Sequence, residues 1–200
     1  MTRKLIITLC LALTAMGMTA QKSVDARINE IRQAYANRIN IMNNQPYDDI
    51  KMEQMTVSYN RMYPGSGLFQ YNDTYYWTDD DNEDYMLKPL LYFVTRKYSM
   101  NHGMYRYYCE YLLDVESGEP MFLLVTMQIG DDETTKQEFR FYFDKGRLIK
   151  QVPERIGPFA YDALLVPDFR IDDNGRARAV IEEFNGIKET FNSLIPAVAW

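Results

Sequence analysis

The side chains able to carry chemistry in this chain are thinly spread, and their spacing excludes more reactions than it supports. His102 is the one histidine among 200 residues, and it sits in an Asn101-His102-Gly103 turn. Sites needing two or three imidazoles are thereby excluded, including the His-Glu-x-x-His zinc type. A serine or cysteine nucleophile would have only this imidazole as its base, and no Gly-x-Ser-x-Gly elbow is present. His102 therefore reads as a surface turn residue. The acidic run Asp79 to Asp84 offers carboxylate oxygens of the kind calcium seeks, with Asp79, Asp81 and Glu83 on the first three ligand positions of an EF-hand loop. The match then fails: Asp84 stands where that loop needs glycine, and Leu90 where it needs a bidentate glutamate. A solvated loop is expected, with neither a metal nor a cofactor.

Carboxylate pairs for glycoside hydrolysis have no motif. The visible same-face pair, Glu110 and Asp114, is separated along a strand by about 13 Å, outside the roughly 5 to 9.5 Å such chemistry uses. Pairs contributed by different strands stay open. Aromatic density is the unusual feature, with sixteen tyrosines, and Tyr75, Tyr76 and Trp77 are consecutive. In a strand at least one of those three rings must face away from the others. With Tyr108, they are the candidate ligand-binding residues, suited to stacking on a sugar or clamping a peptide. Cross-strand pairing and core filling compete for the same rings.

The N-terminus has the three parts of a secretory signal peptide: Arg3 and Lys4, an apolar run from Leu5 to Ala15, and the small residues Ala15, Gly17, Thr19 and Ala20. Cleavage is expected after Ala20, leaving Gln21 first, with Gly17 offering a competing site. The run is shorter than the roughly 20 apolar residues a membrane span requires. Cys10 lies inside it after Leu9, which disfavours lipidation. Of 22 basic residues, losing Arg3 and Lys4 leaves 20 against 28 acidic ones, a formal charge of −8. That balance opposes nucleic acid and anionic membrane as partners. Cys109 then has no second cysteine to pair with, so the domain is held by its core, and the thiol reads as buried and inert.

Periodicity supplies the elements. Val24, Ile28, Ile31, Tyr35, Ile39 and Met42 recur in steps of four and three, predicting a helix from Ser23 to about Asn43. From about Met52 to Val152 the period is two, predicting an antiparallel meander of about seven strands with turns at Pro64 to Gly67, Asn101 to Gly103, Ser117 to Pro120 and Lys145-Gly146. In the fourth strand Tyr105, Tyr107, Cys109, Tyr111, Leu113 and Val115 share a face expected to be core. Arg106, Tyr108, Glu110 and Asp114 share one expected to be wet. Met121, Leu123, Val125, Met127 and Ile129 are expected together on the next strand. Pro153 to Asn174 reads as irregular. Ala177 to Ile195 repeats at helical spacing, although Asn185-Gly186 is also a hairpin dipeptide; helix is favoured.

Three stretches together, Arg61 to Gly67, Glu110 to Asp114 and Glu138 to Lys150, resemble uncharacterised exported proteins of Gram-negative bacteria. The resemblance implies a leading helix, a curved antiparallel sheet, a trailing helix, and a periplasmic or secreted location; it implies no activity. The expectation is a signal peptide over residues 1–20 and a single α+β domain over 21–200, with the helices covering the sheet's apolar face. Its expected role is that of a non-catalytic binding or interaction module for a protein, peptide or glycan. The alternatives are a carboxylate-dependent hydrolase acting on carbohydrate, and an inhibitor or envelope-assembly factor.

Overall fold

A computed structural model of the protein describes residues 2–44, 53–65, 67–79, 89–100, 104–152 and 173–198. His102, Asp80 to Asp84 and Pro153 to Asp172 lie outside them. Helix α1 spans Thr2–Asn44, and seven strands follow: β1 (Glu53–Tyr63), β2 (Gly67–Asp79), β3 (Pro89–Met100), β4 (Tyr105–Leu113), β5 (Pro120–Ile129), β6 (Asp132–Asp144) and β7 (Arg147–Val152). Helix α2 (Asp173–Val198) ends the order. Each strand pairs antiparallel with its neighbour in sequence, so the sheet is a simple meander, β1 to β7. This is the α+β class expected, and the 177–195 segment is helical, not a hairpin. Helix α1 begins earlier than Ser23, because nothing between Thr2 and Ser23 breaks the helix that the later stripe requires.

The helices do not share a face. α2 lays Phe184, Ile187, Phe191 and Ile195 on one side of the sheet, against Tyr75, Trp77, Tyr111, Leu123 and Phe141. α1 lays Val24, Ile28, Ile31, Tyr35, Ile39 and Met42 on the other, against Phe93, Leu112, Phe122 and Tyr142. The predicted stripe of α1 is thus its packing face, residue for residue. The expectation of one wet face is corrected: the side bearing Tyr108 and Glu110 carries its own helix, and Leu112 there is buried. Polar contacts trace α1 obliquely across the strands. Arg27 donates to Asp144 and Arg32 to Tyr142 on β6, Tyr35 donates to Glu110 on β4, and the Arg38 guanidinium lies 3.8 Å from the Tyr92 ring centroid on β3.

Three register shifts adjust which side chains reach α1. Between Tyr76 and Trp77 the ladder skips Tyr92, so Tyr92 and Phe93 both point toward α1. Between Leu112 and Leu113 it skips Met121, which leaves the Leu123–Val125–Met127 face and joins Phe122 beside α1. Between Tyr142 and Phe143 it skips Ile149, which likewise packs against the α1 side. Two further expectations fail at strand ends: Ile129 is exposed, and so is Val115, because β4 stops at Leu113 and Asp114 turns the chain by accepting from the Glu116 and Ser117 amides. At Lys145-Gly146 both residues have positive φ, 50° and 71°, the geometry a two-residue hairpin needs and glycine supplies cheaply.

Beneath α2 lie two polar features. Asp73 on β2 is 1% exposed and directly opposite Arg96 on β3, whose Nε and Nη2 reach its two carboxylate oxygens, each at 2.8 Å. Nη1 of Arg96 reaches Glu183 of α2 at 2.7 Å, tying helix to sheet. Beside this cluster Tyr59, Tyr71, Tyr98 and Tyr107 face one another across β1 to β4 with ring centroids 4.8, 5.5 and 4.4 Å apart. Replacing Arg96 with methionine strands Asp73 in the core, and unfolding in urea should show a loss of about 3–5 kcal/mol. Asp73→Asn with Arg96 intact should cost less, since Glu183 still neutralises the guanidinium; equal losses would mean that the pair is not the unit of stability.

Candidate functional site

Cross-strand register sorts the α1 side of the sheet into rows that grow more polar toward one end. The row Tyr76, Phe93, Leu112, Phe122, Tyr142 is aromatic and aliphatic and lies under α1. The next is mixed: Thr56, Thr74, Thr95, Glu110, Leu124, Arg140. Then comes Ser58, Asn72, Lys97, Tyr108, Thr126, Glu138, and last Asn60, Gln70, Ser99, Arg106, Gln128. The period of two sets which residues share this side, and antiparallel pairing places them shoulder to shoulder.

Two concavities open on these polar rows. The smaller, of about 530 Å³, lies where Ile39, Met42 and Asn43 of α1 overhang Thr56, Asn72, Tyr76 and Glu110. The larger, of about 670 Å³, continues over Asn60, Gln70, Ser99, Arg106, Thr126, Gln128 and Lys136. They share Asn72, Lys97 and Tyr108, which stand at the junction. Volumes of this size hold a small ligand or several sugar rings.

Hydrogen bonding fixes part of this floor. Ser58 donates to Asn72 at 2.6 Å, and the Thr56 and Thr74 hydroxyls meet at 2.9 Å. Glu110 is buried and accepts from Tyr35, with the Tyr108 phenol close beside it. Burial and this carboxylate push both phenols well above the ordinary tyrosine value of 10.0. Glu110 is thereby occupied as an acceptor that clasps α1 to β4. Lys97 is exposed, its ammonium 5.7 Å from the Tyr108 ring centroid, and among the described residues no carboxylate reaches it. Arg106 is paired with Asp131, and Lys136 lies 3.9 Å from Glu133.

The four aromatic candidates are divided by the sheet. Tyr76 and Tyr108 line the groove; Tyr75 and Trp77 lie on the opposite side, 0% and 3% exposed and packed on Phe191, so they serve as core and cannot stack on a ligand. Cys109 is buried on that side too, and burial pushes its thiol well above the usual range. Sequence reasoning missed Asn60, Gln70, Asn72, Lys97 and Gln128. The information was present as alternation, since Gln70, Asn72 and Thr74 fall on every second position of β2, but no pattern marks which polar face stays uncovered. Among the described residues no three of histidine, cysteine, aspartate and glutamate gather as a metal set. Compared with family models, curated proteins and solved structures, the chain matches none.

Tyr35→Phe removes one donor from buried Glu110 and should cost about 1.5–3 kcal/mol in chemical unfolding, with faster amide exchange along α1. Alkaline titration gives a second check. Phenols at Tyr35, Tyr92, Tyr98, Tyr108 and Tyr111 are held above 10.0 by burial, Tyr92 at about 12. The unfolded chain releases these protons first, so the stability they confer is full below pH 10 and falls above it, by about 1.4 kcal/mol per pH unit for each such phenol. Stability that stays level well above pH 10 would contradict this.

Proposed function

We propose that this chain is an exported, non-catalytic binding module that holds a polar ligand in the groove centred on Tyr108. The observation that carries the reading is the pair of adjoining concavities, floored by amides and hydroxyls and flanked by α1. Side chains of this kind fix orientation through hydrogen bonds, and the Tyr108 ring adds a stacking surface. Among the described residues Asp73 and half-buried Glu183 both pair with Arg96, and buried Glu110 accepts from Tyr35, so these three carboxylates are engaged in structural contacts, which favours a binding role over hydrolysis.

Export rests on the N-terminal pattern Arg3-Lys4, Leu5 to Ala15 and Ala20. Protein recovered from outside the inner membrane of a Gram-negative host should begin at Gln21 by intact mass; a chain beginning at Met1 there would remove the signal-peptide reading. Binding is best followed by calorimetry or by amide shifts at β2 to β5, because Trp77 is buried on the far side of the sheet and its fluorescence does not report on the groove. A panel of glycans and peptides should give at least one ligand whose affinity falls about tenfold or more in Tyr108→Ala and is largely kept in Tyr108→Phe. A panel with no binder, or binding indifferent to Tyr108→Ala, would end the proposal.

A further inference from the structure

We infer that the ligand of this groove is an anionic saccharide whose acid group pairs with Lys97. The inference rests on the binding-module reading and adds the chemical class. Charge is the first argument. Among the described residues the larger concavity is lined by Lys97, Arg106 and Lys136 and by no carboxylate, on a chain whose formal charge is −6. Arg106 and Lys136 stand near exposed acids, whereas Lys97 sits mid-row between Asn72 and Tyr108 with no carboxylate partner among the described residues. An exposed ammonium over an aromatic ring, flanked by an amide, suits one acid group rather than a run of phosphates.

The second argument separates sugar from peptide. Strands β2 to β5, which carry Asn72, Lys97, Tyr108 and Thr126, are interior to the sheet, so their backbone groups are already paired; an added strand could join only the outer edge of β1, two strands away from Lys97. The outer two rows carry one aromatic ring, Tyr108, and no aliphatic side chain as a pocket for a peptide's hydrophobic anchors. What they present instead, beside the charged Lys97, Arg106 and Glu138, is an array of amides and hydroxyls, which match sugar hydroxyls, and one phenol ring for a pyranose face.

Calorimetry on the purified protein tests this with four probes: a uronic acid oligomer, its methyl ester, a sulfated oligosaccharide and polyglutamate. At least one acidic sugar should bind about tenfold tighter than the neutral ester, with the advantage eroded by salt. Lys97→Met should erase that advantage without weakening the ester, and Lys97→Arg should keep it; Lys97 is exposed, so both variants should unfold at the parent's midpoint. Ester and acid binding equally would overturn the inference while leaving the binding module standing. Polyglutamate binding more tightly than every sugar would overturn the saccharide class. Failure of all the sugars, neutral and acidic, would remove the inference, and the panel of peptides and glycans above then decides the module separately.

Discussion

Alternation of side chains across seven strands in one ladder, interrupted only where the register shifts, is the constraint from which the rest of this structure follows. Each strand writes two sequences at once, one for each side, and the ladder aligns them into rows. On the α2 side the rows read Met55, Tyr75, Val94, Tyr111, Leu123, Phe141 and then Val57, Asp73, Arg96, Cys109, Val125, Phe139. Nearly all are apolar, and a helix must cover them. The α1 side changes from aromatic to amide over the same length of strand, so a helix can cover only part of it without burying groups it cannot satisfy. The oblique path of α1 meets that demand.

The ionic intrusion described on the α2 side is consistent with this logic. Asp73 and Arg96 are directly opposed, bidentate and shielded by α2, and Glu183 closes the set from the helix. Desolvating these charges costs several kcal/mol, which the pairing offsets but does not greatly exceed. Its effect is orientational: an apolar helix could slide on an apolar sheet, whereas Glu183 meets Arg96 at one position. The stacked tyrosines alongside act similarly, since four rings in register across β1 to β4 penalise any slip of the ladder.

Periodicity made much of this legible before any coordinates. The α1 stripe from Val24 to Met42, the seven strands and the Lys145-Gly146 turn are all local patterns, and all are found. The assignment of helices to faces was not legible, because a helical stripe says that it must be covered and not by what. Met121 was misplaced for a related reason: a bulge flips a side chain without leaving a mark in the sequence. Tyr75 and Trp77 show the limit for the site itself. An aromatic run identifies rings but not the side on which they fall, and here α2 claims two of the three. Lys97 and Asn72 are ordinary strand residues whose position becomes notable only once register sets them side by side.

Among the described residues no helix covers the polar rows, and the cost of burial gives a physical reason. Extending α1's apolar face over Asn60, Gln70, Arg106 and Gln128 would leave buried amides and a guanidinium without partners, at about 1–3 kcal/mol for each neutral group. No few added aliphatic contacts would match that. The apolar stripe of α1 accordingly ends at Met42, with Asn43 already at the groove's margin. A sheet face that served only as support could have continued the aliphatic pattern of the Phe93 row and been closed by the same helix. Instead, alternate positions on five strands carry hydrogen-bonding side chains that contribute little to the core. Their placement together is what the proposed binding role requires.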